Sequence, residues 1–309
     1  MIELDAVAKT FDGGVRALED VTFSVAAGSV CGVLGHNGAG KTTTIKILST
    51  LLRPSSGQAI VAGYDVVGDP ARVRESIGTT GQVAALDWQL TGRENLVLFG
   101  RLRGLRRKDA QLRADDLIDQ FDMAQAADRR LGEYSVGMQR RIDIAAALVV
   151  RPKVLFLDEP TTGLDPRSRR AVWDTVSSLS DQGVTVLLTT QYLEEADVLS
   201  DSIVVIDHGR VIANGTAEDL KGRVGFSYCT VSPVNPADLS KIFDVVADLE
   251  DAECDDEANT VSVRATDGVA TLSEVFRRVD RLDVELTDIA LRKPSLDEAF
   301  LHLTRNVAT

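Results

Sequence analysis

Short apolar runs alternate with helix-like stretches over roughly the first 220 residues. The alternating runs at 2–4 and 21–25 indicate antiparallel strands, whereas 154–157 and 184–188 are continuous apolar runs typical of strands covered on both faces. Residues 91–150 lack strand signals and read as helices, including 95–105 and 113–121. This alternation predicts an α/β layer fold, with antiparallel strands at one edge.

The pattern changes after Gly222. The remaining residues are markedly acidic, above all at 250–257. They predict strands at 226–231, 260–264 and 284–291, helices near 236–246 and 269–281, and a last helix over 296–304. Ser295 and Glu298 have the spacing of a capping box for that last helix. We therefore expect two domains, 1–222 and a small α+β domain over 223–309.

A glycine-rich segment follows the apolar run 30–34 and precedes a helical run at 41–52. It matches the phosphate-binding pattern G-x-x-x-x-G-K-[ST], in which backbone N–H groups cradle phosphate oxygens at a helix N-terminus. Lys41 is expected to reach the β- and γ-phosphates, and the Thr42 hydroxyl to hold Mg²⁺. The predicted nucleotide-binding residues here are Gly35, His36, Asn37, Gly38, Ala39, Gly40, Lys41, Thr42 and Thr43.

Two carboxylates end the apolar run 154–157. Asp158 lies at the carboxyl end of this predicted strand, where it can meet Mg²⁺ beside the phosphate loop. Glu159 is then the candidate to orient and polarise the attacking water. A strand that simply ends in solvated acids is the alternative. Together the loop and the carboxylates favour a nucleotide hydrolase that uses Mg²⁺.

Composition narrows the possible partners. The formal net charge is −13, which disfavours binding to nucleic acid but leaves a local ATP site possible. No apolar run approaches the roughly 20 residues of a membrane helix, and the N-terminus lacks a secretory pattern, so we expect a cytosolic protein. Three cysteines without paired spacing predict neither disulfides nor a zinc site, and the three histidines are too scattered in sequence to predict a metal cluster.

Residues 134–141, Tyr-Ser-Val-Gly-Met-Gln-Arg-Arg, lie shortly before the carboxylate strand. With the phosphate loop, this order resembles the ATP-binding cassette (ABC) family over nearly all of residues 1–220. The resemblance implies a phosphate-loop NTPase fold with a mixed sheet core and a helical subdomain at about 85–150. It also implies an ATP-driven homodimer, in which Ser135 and Gly137 of one chain contact the nucleotide held by the other.

Further assignments rest on the same resemblance. Gln82 corresponds to the glutamine that senses Mg²⁺ and the membrane partner, although a surface amide is the alternative. Phe11 corresponds to the aromatic platform for adenine, although it could be a core residue. Asp165 ends the segment 160–165, which resembles the loop at the dimer contact. Residues 82–99, including Trp88, resemble the groove for a membrane subunit.

Two positions depart from the family pattern. Val136 stands where glycine is usual, with Tyr134 in place of leucine, and Gln191 occupies the place of the switch histidine in 187–197. Glutamine can donate a hydrogen bond to the γ-phosphate but cannot become a cation.

Gln191, the acidic C-terminal part and the segment 294–301 resemble the ATP-binding subunit of the daunorubicin-resistance type of exporter. That resemblance implies drug or antibiotic efflux through a separate integral-membrane permease, with this subunit at the cytoplasmic face of the membrane. Export of a complex lipid, a cassette ATPase acting on a non-membrane target, and a nucleotide-binding regulator without turnover remain alternatives.

Overall fold

The computed structural model describes residues 1–81 and 86–305. Its chain divides into two compact units, Met1–Ala217 and Glu218–Thr309. The first unit contains the phosphate-loop segment and the carboxylate strand, and the second contains the acidic C-terminal part.

The strands of the first unit build two sheets. They are β1 (Ile2–Thr10), β2 (Arg16–Val25), β3 (Val30–Leu34), β4 (Ser56–Val61), β5 (Tyr64–Asp65), β6 (Ile77–Thr80), β7 (Val154–Asp158), β8 (Thr185–Thr190), β9 (Ser202–Asp207) and β10 (Arg210–Gly215). One sheet has the order β2-β1-β4-β5 and is antiparallel. The other has the order β10-β9-β3-β8-β7-β6 and is parallel except at β10. The expected mixed α/β core is thereby confirmed.

The helices of this unit are α1 (Lys41–Leu48), α2 (Pro70–Ser76), α3 (Gly92–Leu102), α4 (Arg107–Gln120), α5 (Val136–Ala147), α6 (Pro166–Asp181) and α7 (Leu193–Leu199). They include α3, α4 and α5 in the region 91–150 that the sequence predicted as helical. Helix α3 begins with a complete capping box between Thr91 and Glu94. Among the described residues from 91 to 150, helices and turns dominate, as the absence of strand patterning predicted.

Burial explains why the parallel strands read as continuous apolar runs. Every residue of β3, β7 and β8 is buried, as expected for strands covered on both faces. One apolar cluster joins β3 and β7 to the antiparallel strands, and another joins β7 and β8 to α3–α6. Parallel strands end at the same edge of their sheet, so the residues after β3, β7 and β8 come together.

The second unit is a small α+β fold. Its elements are α8 (Ala217–Gly222), β11 (Ser227–Pro233), α9 (Leu239–Val246), β12 (Glu253–Asp255), β13 (Thr260–Ala265), α10 (Val269–Val279), β14 (Leu286–Arg292) and α11 (Leu296–Arg305). The sheet order β12-β13-β11-β14 is antiparallel, and α9 and α10 pack on it around Cys229, Ile242 and Val275. Ser295 and Glu298 exchange the two hydrogen bonds of the predicted capping box.

Two elements differ from their predictions. The helix expected over 41–52 ends at Leu48, because Thr50 has a positive φ of 65° that the right-handed helix cannot continue through. The acidic run 250–257 contains the short edge strand β12. Its side chains are exposed, and charged residues on an edge strand blunt further pairing.

Candidate nucleotide-binding site

The phosphate-loop residues connect β3 to α1. Lys41 is the first residue of α1, and its side chain is only 4% exposed. Its ammonium group donates to the carbonyl oxygens of Gly35 at 2.7 Å and His36 at 3.2 Å. A buried cation is therefore fixed beside the N-terminus of α1, where backbone N–H groups favour an anion.

Glycine is required at two positions of this loop for different reasons. Gly40 precedes α1 with φ 113°, a conformation that side chains rarely adopt. A Cβ at Gly35 would lie 2.3 Å from the carbonyl oxygen of Ile206 in β9, so the loop leaves the sheet by close backbone contact. The backbone path of the loop therefore requires glycine at both positions.

Asp158 is buried at the carboxyl end of β7, next to the loop. Its Oδ1 accepts hydrogen bonds from the Thr189 hydroxyl at 2.6 Å and the Thr42 hydroxyl at 3.2 Å. Thr189 faces Asp158 in the parallel pairing of β7 with β8. The sequence analysis missed Thr189. Polar residues at the end of an otherwise apolar run were the available signal.

Glu159 has a positive φ of 48°, which is uncommon for a residue other than glycine. Its backbone N–H donates to the carbonyl oxygen of Thr189 at 3.1 Å and to the Thr189 hydroxyl at 3.0 Å. Its carboxylate lies 3.5 Å from the Lys41 ammonium and accepts from the Thr162 hydroxyl at 3.3 Å. The strained backbone turns this carboxylate from the end of β7 toward the loop.

A cleft of about 820 Å³ opens beside these residues. It is bordered on one side by the loop and Glu159, and on the other by Trp88, Leu131 and the start of α5. The loop residues that line it are Asn37, Gly38, Gly40, Lys41, Thr42 and Thr43. A cavity of this size accommodates a small-molecule ligand such as a nucleotide.

Gln191 follows directly after β8 and is partly buried. Since β8 lies between β3 and β7, this position stands between the phosphate loop and Glu159 at the edge of the sheet. Phe11 is 41% exposed, so it is a surface residue and the core alternative is wrong. The Lys9 ammonium lies 5.5 Å from the centre of its ring.

The segment 134–137 forms the start of α5. Ser135 is exposed, and its hydroxyl accepts from the Met138 N–H as an N-cap. Val136 is 58% exposed, while Gly137 is buried. A Cβ at Gly137 would lie 2.5 Å from the Ser168 hydroxyl of α6. Tyr134 is accommodated because its hydroxyl donates to the Ala126 carbonyl at 2.6 Å.

Asp165 is exposed at the N-terminus of α6, where it accepts from the Ser168 N–H at 2.9 Å. The exposed surface of the first unit therefore includes Ser135, Val136 and Asp165 at the starts of two helices. Gln82, the predicted sensor of Mg²⁺, lies outside the described residues.

Arg140 connects α5 to the carboxylate strand, a role that the sequence analysis missed. Its guanidinium donates to the carbonyl oxygens of Asp158, Pro160 and Gly81 at 2.9, 2.8 and 3.0 Å. It also donates to the Asp143 carboxylate at 3.1 Å. Only 12% of the Arg140 side chain and 9% of the Asp143 side chain are exposed.

Burial dominates the protonation of this pair. It raises the pKa of Asp143 to about 6, against the lowering effect of Arg140. Burial likewise lowers the pKa of Arg140, against the raising effect of Asp143. The pair therefore carries a desolvation cost, while its hydrogen bonds tie helix α5 to the strand that holds Asp158.

Two of the three histidines, which are scattered in sequence, lie close together in the structure. His36 and His208 are distant in sequence, but their ring nitrogens and an Asp207 carboxylate oxygen lie within 4.8 Å of one another. The sequence could not reveal this proximity, because it arises from the pairing of β3 with β9.

Within residues 1–81 and 86–305, no helix is both long and apolar enough to cross a membrane.

These features define a phosphate-loop nucleotide-binding protein. The family model described as ABC transporter matches residues 18–162. The doxorubicin resistance ATP-binding protein DrrA of Mycobacterium tuberculosis is 53% identical over 308 residues, covering 98% of this chain and 93% of that protein. The daunorubicin resistance ATP-binding protein DrrA2 of Streptomyces coeruleorubidus is 50% identical over 305 residues, covering 98% and 94%.

A solved structure described as the ATP-binding subunit of an ABC transporter has a TM-score of 0.65 and 30% identity, covering 73% of this chain and 93% of that one. The chain belongs to the ATP-binding proteins of the ABC transporter family, and it is an ATPase. The expected family and fold are confirmed.

Proposed function

We propose that this chain is the ATP-hydrolysing subunit of a membrane exporter for anthracycline-type drugs, and that it drives a separate integral-membrane permease. The observation that carries the proposal is the identity of 53% and 50%, over 98% of the chain, with proteins named for doxorubicin and daunorubicin resistance. Coverage of 98% means that the similarity includes most of residues 223–309. We assign the second compact unit, Glu218–Thr309, as an accessory domain and the first, Met1–Ala217, as the cassette domain, so the division falls a few residues before the boundary at 222 that the sequence predicted.

The working unit in this proposal is a homodimer with two nucleotides. Each nucleotide lies on the phosphate loop of one chain and against the start of α5 in the other. The exposure of Ser135 at a helix N-terminus supports this arrangement, because such N–H groups favour phosphate. Asp165, exposed at the start of α6, supports a dimer contact in the same region.

The residues of the loop bind and orient the phosphates. Lys41 neutralises phosphate charge, and Glu159, held by Thr189, accepts a proton from the attacking water. Gln191 donates a hydrogen bond to the terminal phosphate in place of an imidazole. Phe11, exposed at the end of β1, stacks on the adenine.

The residues also fit a Mg²⁺ ion. Hydroxyl and carboxylate oxygens are ligands that Mg²⁺ prefers, and Thr42 and Asp158 bring one of each within 3.2 Å beside the loop. We assign these two residues, with Gln82, as the groups that hold it. Mg²⁺ would supply positive charge to the phosphate oxygens.

A subunit of this kind works at the cytoplasmic face of the membrane, bound to its permease. Trp88 belongs to the segment 82–99 predicted to form the groove for that permease, and it is 52% exposed. Aromatic residues of this kind often anchor protein interfaces. The net charge of −13 supports a partner other than nucleic acid.

Transport into inside-out membrane vesicles tests the proposal. Vesicles that contain the permease and this chain should accumulate doxorubicin when ATP is added, and vesicles with the Glu159→Gln chain should not. A complex lipid, supplied to the same vesicles in place of doxorubicin, serves as the alternative cargo. Drug accumulation equal in both vesicle types, or accumulation of the lipid alone, would contradict the drug-export proposal.

A second variant tests the role of Gln191. If glutamine suffices, the wild-type chain hydrolyses ATP with its permease, and Gln191→His changes the rate by less than about tenfold. A wild-type chain without turnover, restored to activity by Gln191→His, would show that the glutamine is not a working substitute.

A further inference from the structure

The turn between β9 and β10 lies against the phosphate loop. Leu34 of β3 is paired with Val205 of β9 in parallel register, so the residues two positions further on, His36 and Asp207, become neighbours. The β9–β10 turn consists of His208 and Gly209, both with positive φ, as in a tight two-residue hairpin. Gly209 donates its N–H to the Ala39 carbonyl at 3.0 Å.

Two imidazoles and one carboxylate meet at this contact. His36 Nε2 lies 2.5 Å from Asp207 Oδ1, and His208 Nε2 lies 3.9 Å from the same oxygen. Asp207 is only 8% exposed, whereas the two imidazoles are 48% and 85% exposed. Ligands of a tetrahedral zinc ion lie about 3.3 Å apart, given bonds of about 2.0–2.1 Å, so small side-chain rotations would suffice.

The second nitrogen of His36 supports a cation at this position. His36 Nδ1 lies 3.2 Å from the Asn37 carbonyl oxygen, which can only accept, so a hydrogen bond here requires the proton on Nδ1. In the neutral ring, Nε2 then presents a lone pair to the Asp207 carboxylate, and two acceptors at 2.5 Å repel. The pair therefore favours a cation here, which is either a proton between the two atoms or a metal ion bound after they separate to about 3.3 Å. Metal-binding histidines commonly donate their other N–H to a backbone carbonyl in this way.

We propose that His36, Asp207 and His208 bind a divalent transition-metal ion, of which Zn²⁺ suits two imidazoles and a carboxylate best, and that this ion ties the β9–β10 turn to the phosphate loop. The ligand types separate this site from the oxygen ligands of Thr42 and Asp158. The rival is a plain ion pair between a protonated His36 and Asp207, which needs no metal. The inference does not depend on which compound the protein transports.

Cobalt absorbance in the nucleotide-free chain tests the site. Co²⁺ is titrated in excess Mg²⁺, which occupies oxygen sites, and in a Cys254→Ser background, which removes the exposed thiol. We expect saturation at one Co²⁺ per chain and displacement by Zn²⁺. His208→Asn should weaken binding at least about tenfold, because it removes a ligand while asparagine tolerates the positive φ.

His302→Asn is the matched control, because His302 lies in the other unit. It should leave binding unchanged. The site would be disproved if no Co²⁺ bound at one per chain, or if His208→Asn bound it as the wild type does. A third measurement needs no variant: Zn²⁺ should slow amide hydrogen exchange at Gly209, and unchanged exchange there would also disprove the site.

Discussion

The chain has two surfaces that we assign to nucleotide contact, the phosphate-loop side and the start of α5. They differ in how far a single chain buries their side chains and holds them by hydrogen bonds. On the phosphate-loop side, Lys41 is 4% exposed, and Asp158 accepts hydrogen bonds from Thr42 and Thr189. On the other side, Ser135 and Val136 are exposed at the start of α5, and the Ser135 hydroxyl bonds its own helix. One chain therefore fixes the groups for binding, and it leaves exposed the groups that we assign to a partner chain.

Arg140 links the two sides. Arg140 belongs to α5, the helix that Ser135 caps, and it donates to the carbonyl oxygen of Asp158 at 2.9 Å. A movement of α5 would therefore shift the backbone that holds the Asp158 and Glu159 carboxylates. The comparison predicts that substitutions on the loop side change the ATP affinity or turnover of a single chain. Substitutions at the start of α5 should change turnover only in the assembled dimer.

Glu159→Gln should produce the largest effect. The substitution removes the proton acceptor but keeps the shape, so turnover should fall by about 10²–10⁴-fold while ATP still binds. Phosphate release with the permease present measures turnover, and equilibrium binding of ATP measures affinity. Undiminished turnover would remove Glu159 from its assigned role.

Ser135→Gly should have the next largest effect. It tests whether Ser135 contacts the nucleotide of a partner chain rather than that of its own chain. Glycine is chosen because it replaces serine at an N-cap with a cost of only a few tenths of a kcal/mol. Turnover should fall by about 10²-fold, as for other lost hydrogen bonds to a transition state. ATP affinity of the dilute single chain should stay unchanged. A loss of affinity in the single chain would place Ser135 on the loop side and break the comparison.

The pair formed by Arg140 and Asp143 predicts a pH dependence of stability. The folded pKa of Asp143, about 6, is raised above its ordinary value of 3.8, so the folded state binds this proton more tightly than the unfolded state does. Its stabilising contribution is complete below about pH 4 and is lost as the pH rises through about 6. The loss is on the order of 3 kcal/mol.

Denaturant unfolding of the wild type and of Asp143→Asn between pH 4 and 7 measures this contribution. The free energy of unfolding of the wild type, minus that of the variant, should fall across this window. A difference that is flat, or that rises with pH, would contradict the assigned effect of burial.

Thr189→Val should have the smallest effect. It removes the hydroxyl that donates to Asp158 and accepts from the Glu159 N–H, so the two carboxylates lose a shared support. We expect kcat to fall about tenfold with little change in KM, and a stability loss of about 1–3 kcal/mol. Thr189→Ser keeps the hydroxyl and should restore kcat. A change in stability alone would make Thr189 purely structural.

Much of the fold and of the loop side was predictable from the sequence. The run 30–34 followed by glycines and Lys41 is local in sequence, and so is the run that ends in Asp158. The strand, loop and helix therefore appear where the pattern indicated them. The extent of α1 was wrong because its end depends on the backbone of Thr50.

Contacts between distant segments were not predictable in the same way. Thr189 meets Asp158 only because β8 pairs with β7, and His36 meets Asp207 only because β9 pairs with β3. Arg140 looks like any helical arginine until its carbonyl partners are known. The order in which strands pair in the sheet determines these contacts, and that order could not be inferred from the single sequence. The roles of Gln82, Gln191, Ser135 and Asp165 remain predictions.

The most direct measurement of the central claim is the molecular mass of Glu159→Gln with ATP and Mg²⁺, determined by light scattering during size-exclusion chromatography in the presence of its permease. The account predicts a dimer of this chain that forms with ATP, and no such dimer with ADP or when Lys41→Ala is added. A chain that stays monomeric at high concentration with ATP and its permease would contradict it.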